Sequence, residues 1–260
     1  CGCSGTTERP VVVRSNIPKS IEKHAPDNSG IKAIGRGYDI SGRQIAPPIE
    51  TLVIDPLGRK SGYDPTTMSI LSEIPNGGYD QDASIGIDSE EDVPAAEQLP
   101  AESEFEVTQP MAGEYKVQII GKEPGNYELS IRGRTVDAEL GLEQKYFGLT
   151  EKDRITEFKL NFNKTPGAVS TVTKTVAFQT LKDDLRLARQ FGYVDNDGIL
   201  NSLIQKLNNA EEAKNKGDIK PAQNVLDALI NEINAQTDKH IKKAFADPFS
   251  ADIVTFIKTL

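Results

Sequence analysis

The chain has 260 residues, enough for two ordinary domains, and an apolar fraction of 37% that suits cores of modest size. Trp is absent, aromatics make up 6%, and the net charge is −9, a balance that would repel a phosphate backbone and excludes nucleic acid as a natural partner. No stretch approaches the roughly 18 consecutive apolar residues of a membrane-spanning helix, and the only cysteines, Cys1 and Cys3, stand at the extreme N-terminus, which excludes a disulfide scaffold.

The first residues, Cys1-Gly2-Cys3-Ser4-Gly5-Thr6-Thr7, support two readings. A mature bacterial lipoprotein begins in this way, with a lipid on Cys1 and a small polar tether behind it; the other reading is a fragment boundary at position 1. A C-x-C metal half-site is a third, but no His or Cys follows closely enough to complete it. Residues 1–30 are polar and broken by Pro10, Pro18 and Pro26; they read as tether, with Val11-Val12-Val13 as an edge-strand candidate.

From residue 31 to 163 the pattern is that of an antiparallel β-sandwich. Glu50-Thr51-Leu52-Val53-Ile54-Asp55 predicts a strand, and Pro56-Leu57-Gly58 predicts the turn after it. Between Lys60 and Lys116 there is no basic residue, and the acidic side chains of this window outweigh the net charge of the whole chain. Its densest part, about residues 75–102, predicts a solvated acidic loop, because like charges repel and hold the chain extended. Asp80, Asp82, Asp88, Glu90 and Asp92 are the hard oxygen ligands in it that could take calcium, although their spacing is not that of an EF-hand.

The clearest alternation follows. Phe105 and Val107, then Tyr115, Val117 and Ile119, then Tyr127, Leu129 and Ile131 recur at every second position with charged or polar residues between. That period places each apolar set on one face of a pleated sheet. Ile155, Phe158, Leu160 and Phe162 predict a further strand with one irregularity, read as a bulge.

Residues 164–173 read as a linker, and from 174 to 260 the spacing changes to three and four. Phe178, Leu181, Leu185 and Ala188 form one stripe; Ile199, Leu203, Ile204 and Leu207 a second; Val225, Leu226, Leu229, Ile230 and Ile233 a third. Phe249, Ile253, Phe256, Ile257 and Leu260 make a fourth. Each predicts an amphipathic helix, and helices this short must bury their stripes against one another. Asp195 or Asp197 is the predicted N-cap of the second helix, Lys216-Gly217-Asp218 its end, and Pro221 belongs to the first turn of the third. The fold class is therefore α+β in two domains, an antiparallel β-sandwich followed by a small three- or four-helix bundle.

GYVDNDGILNSLIQKLNNAEEAKNKGD at 192–218 and LDALINEINAQTDKHI at 226–241 resemble the FIMAH domain, a helical module near the C-termini of secreted bacterial proteins. Asp238 departs from that pattern, which has Gly before Lys-His. Gly113-Glu114-Tyr115-Lys116-Val117 with Gly125-Asn126-Tyr127-Glu128-Leu129-Ser130-Ile131 is similar to the closing strand pair of bacterial pre-peptidase C-terminal domains, which are β-sandwich accessory modules. Both resemblances imply a place outside the cytoplasm and an accessory role.

Catalytic chemistry has little to work with. His24 lies in a Pro-rich segment and His240 near a helix end, where it suits a dipole or capping partner. Without a placed imidazole, a Ser-His-Asp or Cys-His arrangement lacks its base. The sequence thus predicts no catalytic residue and no cofactor beyond calcium. It predicts a non-catalytic accessory or interaction module at the bacterial cell surface or secreted from it, binding a protein or other surface ligand and meeting the membrane only through a lipid on Cys1. The alternative is the C-terminal tail of a larger secreted hydrolase whose catalytic domain lies outside this chain.

Overall fold

The computed structural model describes residues 26–38, 49–81 and 102–260. Val11 to Val13, Cys1, Cys3 and His24 lie outside the described residues.

The strands are β1 (Gly30–Tyr38), β2 (Ile49–Ile54), β3 (Lys60–Asp64), β4 (Ser69–Ser72), β5 (Gly77–Asp80), β6 (Ser103–Thr108), β7 (Gly113–Gly121), β8 (Gly125–Arg134), β9 (Leu140–Thr150), β10 (Ile155–Phe162) and β11 (Thr171–Lys174). They form two sheets, in order β5-β6-β1-β8-β9 and β11-β10-β7-β2-β3-β4, with every pairing antiparallel. The alternating residues of both sheets meet in one core, with Tyr115, Val117 and Ile119 facing Phe105, Tyr127, Leu129 and Ile131, all buried. This is the predicted sandwich.

Four helices follow: α1 (Phe178–Gln190), α2 (Asp197–Asn215), α3 (Ile219–Gln236) and α4 (Lys243–Ile257). The predicted stripes close a second core of Phe178, Leu181, Leu185, Leu203, Leu207, Leu226, Leu229, Ile233, Phe249 and Ile253. Leu149 of β9 is buried in this helical core rather than in the sandwich core, so the two halves share a packed seam.

Several local expectations are corrected. The residues read as linker 164–173 contain the start of β11, which pairs with β10 through Leu160↔Val172 and Phe158↔Lys174. Only Val172 of that short strand is apolar and buried, so its alternation carried no signal. The sandwich passes into α1 through Thr175, Val176 and Ala177 alone, and the Thr175 amide donates to the Glu157 carbonyl at 2.8 Å. At the other end of the sandwich, Asp27 and Asn28, read as tether, are tied to it: Asp27 pairs with Lys164 at 2.8 Å and the Asn28 amide donates to Val136.

The stretch read as acidic loop begins with β5, whose Tyr79 hydroxyl donates to Glu50 Oε2 at 2.5 Å. β10 has no bulge: its register with β7 runs unbroken from Ile155↔Ile120 to Phe162↔Gly113. Thr156 takes the inward place there and Ile155 faces solvent, which is why the apolar spacing looked irregular. The register shift of the sandwich lies instead between Gly133 and Arg134. Nor is the second helix capped by an aspartate. Asn196 is the N-cap, its Oδ1 accepting from the Ile199 amide at 3.1 Å. Asp195 and Asp197 turn outward to His240 and Arg189.

Candidate functional site

Of the acidic residues that could take calcium, Asp80 is exposed at the end of edge strand β5. Asp82, Asp88, Glu90 and Asp92 lie outside the described residues. Among the described residues no group of three His, Cys, Asp or Glu could hold a metal ion. His240 caps no helix: it sits in the turn after α3, its Nδ1 2.8 Å from Asp195 Oδ1, with both side chains substantially exposed. Of these residues, the two that are described, Asp80 and His240, belong to no cluster of metal ligands among the described residues.

What the structure does gather is a cleft of about 260 Å³ on the seam between sandwich and bundle. One wall is the edge of the first sheet, with Tyr127 on β8 and Phe147 and Leu149 on β9. The opposite wall is α4 and the turn before α2, where Tyr193, Phe245 and Phe249 run in series. Phe245 and Phe249 stack with centroids 4.9 Å apart, and Tyr193 lies 6.3 Å from Phe245, separations at which aromatic rings attract. Two backbone features shape the space. Gly148 faces Tyr127 across the strand pair, and a Cβ there would fall 2.5 Å from the tyrosine hydroxyl, so only glycine admits the ring. Pro248 inside α4 brings no N–H to the Ala244 carbonyl one turn earlier, and both residues line the cleft.

The floor is ionic. Lys174, at the end of β11, bonds Asp252 of α4, with side chains only 10% and 16% exposed. Beside them Arg154, from the turn between β9 and β10, donates to Asp184 of α1 at 2.6 Å. Both pairs cross the seam. Burial works against the charge on Lys174, yet Tyr127, Asp184 and Asp252 outweigh it and hold the ammonium above the ordinary lysine range. Burial raises the Asp252 carboxyl above the usual carboxylate range, Lys174 offsets this only in part, and Asp184 adds to it. Burial likewise pushes the Tyr127 phenol up.

No family model matches this chain, and no curated protein or solved structure does. The cleft is thus read from its own chemistry. It is apolar and aromatic on its walls, charged at its base, and built by residues as far apart in the chain as Asn126 and Asp252. Among the described residues no serine, cysteine, threonine or histidine lines it. Lys174 is a protonated, salt-bridged amine, whereas a lysine that attacks carbonyls needs a depressed pKa.

Sequence reasoning placed Tyr127 and Phe249 only on core-facing stripes and none of these side chains in a site. Phe147 lies in β9, whose residues Glu143, Gln144 and Lys145 interrupt any alternation. Lys174, Asp184 and Asp252 are ordinary charged residues until the fold brings them together. The one available signal was charge on an apolar stripe: Asp184 and Asp252 each fall three residues after a core residue, Leu181 and Phe249.

Proposed function

We propose that this chain is a non-catalytic binding module of a bacterial surface or secreted protein, and that the seam cleft is its ligand seat. The observation that carries the reading is the cleft itself, a concave, mostly apolar site with a few converging polar groups at a junction of two packed units, where ligand sites concentrate. Among the described residues no serine, cysteine, threonine or histidine lines the cleft, and its Asp184 and Asp252 are each bonded to a cation, which supports binding rather than turnover. The resemblance of residues 192–241 to FIMAH domains, and of 113–131 to pre-peptidase C-terminal domains, supports an accessory role outside the cytoplasm. Among the described residues no helix is long and apolar enough to cross a membrane.

A fragment screen followed by amide NMR on the full chain tests this. The expected result is that hits shift Phe147, Gly148, Tyr193 and Phe245 together. Hits that cluster elsewhere would refute the seat, and turnover of peptidase or glycosidase substrates lost in Asp252→Asn would refute the non-catalytic reading. The same FIMAH resemblance carries a second reading, a tail appended to a secreted hydrolase. The complete reading frame decides between them, through a catalytic domain encoded upstream or none.

A further inference from the structure

Resting on the seam cleft as the ligand seat, we infer that its ligand is a small organic cation, a protonated or quaternary amine carried on an apolar stem. Three observations converge on this chemistry. The first is geometric: the aromatic side chains of Tyr193, Phe245, Phe249 and Phe147 line a space too small for a folded partner but ample for an amine with one aromatic or aliphatic arm. Ring faces attract cations through their quadrupole, most strongly where water is excluded.

The second is charge. Among the described residues, Glu128, Asp184 and Asp252 line the cleft against the single ammonium of Lys174. The cations that partner Glu128 and Asp184, namely Arg36, Lys145 and Arg154, are not part of the lining. A deeply buried lysine ordinarily gives up its proton. Lys174 instead holds its proton more firmly than in water, despite burial, with the carboxylates of Asp184 and Asp252 beside it. Burial raises the Asp252 carboxyl and Asp184 adds to it, while Lys174 and Arg154 offset this only in part. The described lining of the cleft therefore offers an entering group three carboxylates and one ammonium.

The third is a cation already seated on the wall. Lys242, the residue before α4, holds its Nζ 5.4 Å from the centroid of the Tyr193 ring at the cleft. An entering ammonium would use the same interaction further in.

The test uses the full chain and four probes sharing one phenyl arm: 2-phenylethylammonium, its trimethylammonium counterpart, neutral 2-phenylethanol and anionic 3-phenylpropionate. Calorimetric titration is read together with amide NMR. The expected result is that both cations bind about tenfold or more tighter than the alcohol or the acid, with shifts at Phe147, Tyr193 and Phe245. Phe147 is half exposed, so Phe147→Ala leaves the cores intact; it weakens the cations about tenfold, and Phe147→Tyr, which keeps a ring, restores them. Equal or tighter binding of the alcohol or acid at the same residues overturns the cation inference and leaves the seam as the seat. Cation binding that shifts residues away from the seam overturns both. Absence of binding by all four at millimolar concentration overturns the inference, and the fragment screen then judges the seat independently.

Discussion

Asp238 occupies the left-handed region at φ +61° in the turn that follows α3, where its amide donates to the Ile241 carbonyl at 2.9 Å. Aspartate tolerates that conformation at some cost, and glycine bears none. The residue that departs from the FIMAH pattern therefore leaves the turn intact while straining it. Asp238→Gly is expected to raise the unfolding free energy by about 0.5–1 kcal/mol in a denaturant melt, the relief of strain exceeding the added freedom of the unfolded chain. Asn196→Ala should cost about 1 kcal/mol in the same measurement, because the Ile199 amide loses its acceptor.

The sandwich aspartates set the acid limit. Bonds from Lys164 and Ser29 hold Asp27 at about 2. Burial raises Asp55, but bonds from Arg59 and Leu57 outweigh it; Lys60 and Thr66 lower Asp64. All three sit below the unfolded value, so their contribution is present above about pH 4 and is lost as pH falls toward 2. Melting midpoints across that range should fall, and Asp27→Asn should remove about 1 kcal/mol of the dependence after solvent screening. Asp252, being raised, works in the opposite direction, its contribution being lost as pH rises.

At the scale of elements, strands were legible where large apolar residues alternate, as in Tyr115-Val117-Ile119. They were silent where small or charged residues fill the inward places. β1 buries Ile31 and Ala33 with glycine next in the alternation, and β11 buries Val172 alone. Helices were legible throughout, since each needs a continuous stripe to bury. Their charged seam residues were not, because partnership across the fold leaves no local period. β3 shows a constraint of another kind. Gly62 has φ +110°, and a Cβ there would lie 2.1 Å from the Thr51 carbonyl oxygen. Gly62→Ala should therefore cost about 3 kcal/mol by forcing β2 and β3 apart; an unchanged melt would show that the pairing relaxes freely.

At the scale of the molecule, two hydrophobic cores are fastened along one seam. Leu149 reaches from the sandwich into the helical core, the Tyr146 hydroxyl donates to Val172 across the sheet edges at 3.0 Å, and two buried ion pairs join strands and turn to helices. A buried pair that loses one partner leaves an uncompensated charge, at a cost of about 3 kcal/mol. Such a seam makes the cleft a preformed site rather than a gap between independently moving units. Scanning calorimetry of the full chain beside Asp252→Asn tests that claim most directly. The seam predicts one cooperative transition for the unaltered chain, and in the variant an earlier transition of the helical half that separates from the sandwich. Two resolved transitions in the unaltered chain, both unmoved by Asp252→Asn, would contradict it.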